Sequence, residues 1–416
     1  MKTTLERALM RMAERQRGVP RQGASETISR GLNAIRTHLG MEVAFISEFA
    51  DDRRFFRYVD SADQEAIIRV GDSDPLMESY CKHVVDGRLP ELMVDACLNE
   101  TALGLDATLR MPVRAHMSVP IRLKDGSVFG TLCCFSRQAD PSLTPRDLAM
   151  LRVFSELVAD QVESELQQQQ ERRRLDQNLE RAMLPGQLHI LFQPVFNLEP
   201  LRVVGLEALS RFRCDPQRPP DQWFAEAATI DQGSALELHA IRLALQALER
   251  LPSDIYLAVN ASPNTVLDPE LGQTLLRYPL HRLVLEVTEH EEVEQYQEVA
   301  LMTRPLRSAG LRVAVDDAGA GYASFKHILN LAPDIIKLDV SITRDIDTDF
   351  SRQALAAALV RFAQSTRGLL VAEGAETEAE LATLRALDVR LAQGFALGRP
   401  MELDAALELA RRCKGG

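Results

Sequence analysis

The side chains best suited to chemistry in this sequence are oxygen donors set far apart along the chain. Glu207, Asn260, Glu286, the neighbours Asp316 and Asp317, Asp339, Glu373 and Gln393 each lie in or just past a short apolar run. Glu289 and Glu376 follow three residues after Glu286 and Glu373, and Lys337 sits in a run of the same kind. Taken singly, each acid reads most simply as a helix cap or a surface ion pair. Gathered in one place, they would repel and raise one another's pKa values. Hard divalent cations resolve that conflict, and oxygen donors suit Mg²⁺ or Mn²⁺ better than a thiolate-seeking metal. Two such ions can clamp the attacking and leaving oxygens of a phosphoester displacement. Asp316 and Asp317 are adjacent, so one can bridge two ions while the other holds the second. Lys337 is suited to hold a water or to offset phosphate charge; the alternative is a buried salt bridge to Asp339 or Glu373. Arg211, four residues after Glu207, could grip a phosphate bidentately or pair with a carboxylate.

Such convergence needs a scaffold. Strand candidates are Leu188–Val195, Val203–Leu209, Tyr256–Ala261, Leu283–Thr288, Leu311–Val315, Ile335–Leu338, Leu369–Ala372 and Leu391–Phe395. Amphipathic helices are expected between them at Ala235–Arg250, Glu291–Ala309, Ser351–Gln364 and Glu378–Leu387. About eight strands alternating with helices over roughly 230 residues is the rhythm of a (β/α)₈ barrel, whose strands end at one mouth. A doubly wound open sheet is the competitor, weakened because no GxGxxG follows the first strand.

The region before residue 145 has a different pattern. Gly23–Leu39 reads as a helix, Glu42–Phe49 and Arg53–Asp60 as strands turning at Asp51-Asp52, and His116–Leu123 and Ser127–Ser136 as a hairpin around Lys124-Asp125-Gly126. This order suggests an α+β sensor domain. Thr144 and Pro145 suit the start of a helix. Leu148, Leu151, Phe154, Val158 and Val162 then recur at helical spacing, and Pro185-Gly186 ends the run. Such a connector either dimerises as a coiled coil or stands as a solvated spacer.

The chain has 416 residues, 46% hydrophobic and 26% charged, with a formal net charge of −12. That acidity argues against a DNA-wrapping or polybasic membrane protein, which needs clustered Lys and Arg. No apolar run approaches the roughly 20 residues that cross a bilayer. The basic N-terminus lacks the apolar core of a signal peptide. Cys81, Cys97, Cys133, Cys134, Cys214 and Cys413 form no CxxC pair, so reduced thiols in a cytoplasmic protein are expected. Cys133-Cys134 reads as core, and Tyr80-Cys81-Lys82-His83 with His116 as either packed side chains or a haem or redox site.

From about Leu179 to Met401 the sequence resembles the EAL domain family of cyclic di-GMP phosphodiesterases. Glu207-Ala208-Leu209-Ser210-Arg211 matches its signature, preceded by Gln193-Pro194-Val195. Val259-Asn260-Ala261-Ser262, Glu286-Val287-Thr288-Glu289, Asp316-Asp317-Ala318-Gly319-Ala320-Gly321-Tyr322, Lys337-Leu338-Asp339, Ala372-Glu373-Gly374-Ala375-Glu376-Thr377, Gln393-Gly394-Phe395 and Gly398-Arg399-Pro400 follow in family order. The resemblance implies a TIM-like barrel of EAL type with one strand reversed, hydrolysing cyclic di-GMP to linear pGpG with two Mg²⁺ or Mn²⁺ ions. It implies Glu207, Asn260, Glu286 and Asp316 as ligands of one ion. Asp316 and Asp317, with Glu373, would serve the other. Lys337 would hold the attacking water. Arg211, Leu209, Gln193, Gln393 and Glu376 would line the substrate site, and Glu289 would anchor the loop after Asp317. That loop departs from the family: Ala318, Ala320 and Ala323 stand where Phe, Thr and Ser are usual, which puts the rate of turnover in question.

The segment before the connector resembles a GAF domain in element order and in Ser118-Val119-Pro120-Ile121 through Gly130-Thr131-Leu132, with no ligand assigned. The expected organisation is an N-terminal helix at 1–20, a GAF-like sensor at 21–165, a helical linker at 166–182 and the barrel at 183–416. A homodimer through linker helix and barrel is expected, with no DNA and no membrane partner.

Overall fold

The computed structural model describes residues 22–63, 68–288, 296–318 and 328–413. The helix expected at 1–20 lies outside them. The chain divides into two compact units at Gln170/Glu171.

The first unit is built on one antiparallel sheet. Its strands are β1 (Val43–Ala50), β2 (Arg53–Ser61), β3 (Ser73–Pro75), β4 (Leu92–Met93), β5 (Ala115–Arg122) and β6 (Val128–Ser136), ordered β3-β2-β1-β6-β5-β4. The β1–β2 turn places Asp51 and Asp52 at positive φ (51° and 56°), as a two-residue hairpin requires. Side chains alternate between the two faces along each strand. Ala44, Ile46, Leu132 and Cys134 pack under the helices Gln22–Leu39 and Pro145–Ala182. Val43, Phe45, Cys133 and Phe135 face the other way, against Tyr80, Cys81 and Val84 of the helix Tyr80–Val85. Gly31 lets the two long helices close, since a β-carbon there would meet the Phe154 ring at 2.5 Å. The connector is one helix from Pro145 to Ala182, passing through the point where the units divide.

The second unit is a closed barrel of β7 (Leu188–Leu198), β8 (Leu201–Phe212), β9 (Tyr256–Ala261), β10 (Leu283–Val287), β11 (Arg312–Ala318), β12 (Ile335–Leu338), β13 (Leu369–Ala372) and β14 (Leu391–Ala392). The open-sheet alternative is therefore excluded. All neighbours run parallel except β7, which is antiparallel to both β8 and β14 and is the reversed strand. Leu257, Val259, Leu283, Leu285, Val313 and Val315 point outward under the helices. Val195, Tyr256, Ala258, Val284, Ala314, Ile335, Val371 and Leu391 point inward and fill the barrel. Gly205 keeps this interior from overfilling: a β-carbon there would lie 2.2 Å from the Tyr256 ring. Among the described helices, none is long and apolar enough to cross a membrane.

Candidate active site

The inward layer fixes where the polar residues go. Strand side chains repeat with period two. Two residues past Gly205, Ala258, Val284, Ala314, Ile335, Val371 and Leu391 stand Glu207, Asn260, Glu286, Asp316, Lys337, Glu373 and Gln393. On the reversed β7 the count runs backward from Val195 to Gln193, paired with Glu207. Parallel strands end together, so the apolar plug carries a polar ring on its mouth side.

The ring converges on one ammonium. Lys337 Nζ lies 2.6 Å from Glu286 Oε2, 2.6 Å from Glu373 Oε1, 3.2 Å from Asp316 Oδ1 and 3.4 Å from Glu207 Oε1. Lys337 is 2% exposed, Glu286 4% and Glu207 5%, so water screens these charges poorly. The four acids hold Lys337 well above the ordinary lysine value despite its burial. Burial pushes Glu286 well up, and the charges of Glu207 and Asp316 add to this against the pull of Lys337. Burial likewise raises Glu373 to about 8, with Asp316 and Glu207 reinforcing it and Lys337 opposing. Glu207 is the exception. Burial would raise it, but Lys337 and hydrogen bonds from Gln393 and Asn260 bring it below the usual carboxylate range.

The amides complete the ring. Asn260 Nδ2 donates to Glu207 Oε1 at 3.2 Å, and Gln393 Nε2 donates to Glu207 Oε2 and, at 3.0 Å, to Gln193 Oε1. Gln193 Nε2 donates to the Gly398 carbonyl at 3.1 Å. Gln393 Oε1 is buried without a hydrogen-bond partner among the described residues. A cavity of about 300 Å³ opens over Lys337, Glu207, Asp316 and Glu373, with Glu376, Val340 and Phe395 on its wall. Gly374 keeps the wall thin at φ +70°, where a β-carbon would strike Val340 at 2.3 Å.

The structure brings Gln193, Glu207, Asn260, Glu286, Asp316, Lys337, Glu373 and Gln393 together. Lys337 pairs with Glu373, while Asp339 instead accepts from Ser341 N at 2.9 Å and caps the helix Val340–Thr343. Glu376 lines the cavity and accepts from Arg344 at 2.6 Å. Leu209 and Arg211 continue the inward face of β8 but do not line the cavity; Arg211 Nη1 donates to the Ser210 carbonyl at 2.7 Å. Asp317 lies on β11, where its backbone alone is described, and Glu289 lies outside the described residues. Sequence reasoning missed Val340 and met Phe395 only as the end of the Gln393-Gly394-Phe395 match, with no role at the site. It also missed Glu237, whose Oε2 accepts from Ser262 N at 2.7 Å and steadies the chain after Asn260. No charge or spacing signal marked them.

The donor set is entirely oxygen and carries four carboxylates against one ammonium. Among the described residues no group of three or more acids, histidines or cysteines stands ready to hold a metal ion; the acids of the ring are arranged around Lys337 Nζ. The surplus of buried negative charge, with carboxyls pushed up to hold protons, fits hard divalent cations.

Comparison with known proteins agrees with this chemistry. The EAL domain model matches residues 176–400, and the GAF domain model residues 24–162. The cyclic di-GMP phosphodiesterase NbdA of Pseudomonas aeruginosa is 30% identical over 251 residues, 57% of this chain and 32% of NbdA. The cyclic di-GMP phosphodiesterase PdeF of Escherichia coli is 26% identical over 237 residues, 54% of this chain and 31% of PdeF. The chain thus spans about a third of the length of these two relatives. The solved c-di-GMP complex of the PaMucR phosphodiesterase superposes with a TM-score of 0.51 at 27% identity, covering 56% of this chain and all of that one. The EAL enzyme Bd1971, at 16% identity and a TM-score of 0.55 over 89% of this chain and 93% of its own, shares the fold.

Proposed function

The chain belongs to the EAL domain family, and from that premise we propose that its barrel hydrolyses cyclic di-GMP to linear pGpG under the influence of its GAF domain. The observation that carries this reading is the surplus of four carboxylates around Lys337 at the foot of an open cavity. Glu207, Asn260, Glu286 and Asp316 would hold one divalent cation, Mg²⁺ or Mn²⁺, and Asp316, Asp317 and Glu373 a second. Such a pair supplies Lewis acidity at the phosphate and lowers the pKa of water.

The chain's own residues do the rest. Lys337 Nζ donates to the attacking water and offsets charge on the phosphoryl oxygens. Glu373 Oε1, 2.6 Å from that ammonium, helps to place the same water. The water oxygen bonds to phosphorus, the P–O3′ bond breaks, and O3′ leaves with the proton that the attacking water gives up, so the phosphate stays on the 5′ side of pGpG. Gln393, with its unpartnered Oε1, and Gln193 bind the substrate's polar edges. Glu376 and Leu209 flank it, Arg211 grips a phosphate after turning from Ser210, and Glu289 anchors the loop beyond Asp317.

The test is to incubate the full chain with cyclic di-GMP and Mg²⁺ or Mn²⁺ and to follow pGpG by chromatography. Absence of product with either metal overturns the reading. Ala318 and Ala320 support a second reading, a receptor that binds cyclic di-GMP with weak or no turnover; calorimetric binding without product would establish it.

We further infer a homodimer formed through the connector helix and the barrel. Val153 (60% exposed) and Leu157 (62%) stand one turn apart on the connector, and Phe350 (81%) is bare on the barrel unit. Light scattering of the full chain checks this. We place the chain in the cytoplasm, where its six cysteines would stay reduced thiols.

A further inference from the structure

The sensor unit holds a polar cluster that the barrel chemistry does not use. Cys81, on the helix Tyr80–Val85, and Cys133, on β6, are both fully buried. Their sulfurs lie 3.2 Å apart although 52 residues separate them in sequence. Neither is merely packed among hydrocarbon. Arg54 Nη1 donates to Cys81 Sγ at 3.0 Å. Cys133 Sγ lies 3.0 Å from Ser118 Oγ and 3.1 Å from Thr131 Oγ1.

Arg54 itself is 4% exposed, with its guanidinium over the rings of Phe56 (4.7 Å) and Phe45 (5.5 Å). Its far edge donates from Nε to Asp74 Oδ1 at 2.9 Å. The Asp74 side chain is 36% exposed, so solvent lies one guanidinium away from the Cys81 sulfur. His116, tilted against Tyr80 at 4.7 Å, adds no charge, because burial and then the Arg54 charge lower its pKa to about 3.

The two thiols are unequal. Burial pushes a thiol up, as it does Cys134 on the opposite face of β6, to about 12. Burial acts on Cys81 too, but the hydrogen bond from Cys133 and the Arg54 charge outweigh it and bring the thiol below its ordinary value. Cys133 goes the other way, kept protonated by burial and by the neighbouring Cys81. Two sulfurs 3.2 Å apart, one of them facing a guanidinium, have the layout of an attacking and a resolving cysteine.

We propose that Cys81 and Cys133 form a reversible dithiol–disulfide site oxidised by hydroperoxides, with Cys81 attacking first. The Cys81 thiolate attacks a peroxide oxygen. The O–O bond breaks, giving a sulfenic acid at Cys81 and a hydroxide or alkoxide that takes a proton from water. Cys133 sulfur then attacks the sulfenic sulfur. The S–S bond forms, the S–O bond breaks, and hydroxide departs with the Cys133 proton as water. Two electrons pass from the thiols to the peroxide, and a dithiol reductant returns them with two protons. The sulfurs must close by about 1.2 Å to reach disulfide length. The product ties the helix Tyr80–Val85 to β6 and removes the sulfur anion that faces Arg54.

The test uses the full, reduced chain, treated with hydrogen peroxide, denatured in an alkylating agent, digested and analysed by mass spectrometry. The expected result is a cross-linked peptide pair containing Cys81 and Cys133. Alkylation of both residues is lost and is restored by dithiothreitol, while Cys134 stays alkylated. A Cys134→Ser chain gives the same cross-link. A Cys133→Ser chain gives none, and its Cys81 reacts with dimedone as a sulfenic acid. Alkylation of Cys81 as complete as that of the half-exposed Cys97 after peroxide, or a cross-link through Cys134, overturns the proposal.

Discussion

Both units bury a cation against anions, and the two arrangements differ in balance. In the sensor unit Arg54 faces Asp74 and Cys81, two rings cover the guanidinium, and the only group of the three that reaches solvent is Asp74. In the barrel Lys337 faces four carboxylates, and a cavity of about 300 Å³ stands above them. The first cluster is complete within itself and can change only by chemistry on its sulfur. The second carries surplus charge that the fold does not neutralise, and so calls for cations from outside. Surplus charge at the mouth of a rigid strand ring marks a site more sharply than burial or a perturbed pKa alone, since both clusters have those.

The comparison breaks most visibly at Lys337. Lys337→Met leaves four clustered carboxylates, two of them buried, without a counter-charge, so turnover should fall by about a thousandfold or more. Removing one partner of a buried pair costs about 3–5 kcal/mol, and here Mn²⁺ should recover much of the lost melting temperature. Arg54→Met should cost a similar or slightly smaller amount, but no divalent cation should restore it. Thermal melting of both variants with and without Mn²⁺ checks the contrast. Equal rescue of the two, or of neither, would remove the distinction between surplus and balanced charge.

The unaltered chain offers a milder version of the same test. Cations that bind only the folded mouth stabilise by about 2.7 kcal/mol at a hundredfold excess over Kd. The barrel's melting transition should therefore rise with Mn²⁺ and fall back on chelation. Asp316→Asn should shrink the rise while leaving the melting in chelator nearly unchanged. A rise of the same size in that variant would move the cation site away from Asp316.

How much of each cluster was legible follows from the same contrast. The mouth was readable because each polar residue stands two positions past an inward apolar one in a short strand, as Glu286 does after Val284 and Lys337 after Ile335. Period and order sufficed for the barrel, while the reversal of β7 came only from the resemblance, since strand direction leaves no mark on alternation. The sensor cluster was readable only in part: Cys81 stood out beside His83 and His116, but its pairing with Cys133 did not. Cys133 reads as core and is core, yet its partner arrives from a helix 52 residues away, a contact set by how Tyr80–Val85 lands under the sheet. Helices such as Pro220–Thr229, which buries Trp223, were missed because tertiary packing, rather than a long periodic pattern, holds so short a segment.

The Ala318–Gly319–Ala320 segment sharpens the comparison on the enzyme side. If the surplus charge is present but its loop is under-packed, the double substitution Ala318→Phe with Ala320→Thr should strengthen cation binding or turnover. Restoring a ring contact and a hydrogen bond is worth about 2 kcal/mol together, or about thirtyfold. Titration of Mn²⁺ against the pGpG rate reads it. An unchanged rate and midpoint would show that the small residues are neutral in this chain.

The smallest effect concerns a carboxylate stabilised by neither cation nor surplus. Glu380 is 3% exposed and accepts from the backbone N–H groups of Asp345 (2.9 Å), Glu376 (2.7 Å) and Thr377 (2.9 Å). With Thr377 it forms the capping box of the helix Glu378–Ala386, just past Glu373 and Glu376. Burial would raise its pKa, but these donors hold it below the usual 4.5. A carboxyl lowered by folding stabilises the fold above its unfolded value, and the contribution fades as pH falls through the lower, folded one. Glu380→Gln should therefore cost about 1 kcal/mol at neutral pH and progressively less as the solution is acidified below that range. Thr377→Ala, which removes an uncharged cap, should cost about the same at every pH. Denaturant unfolding of the two variants and the parent across acid pH separates them. A Glu380→Gln penalty that stays constant into acid would mean the backbone donors hold that side chain by shape and not by charge.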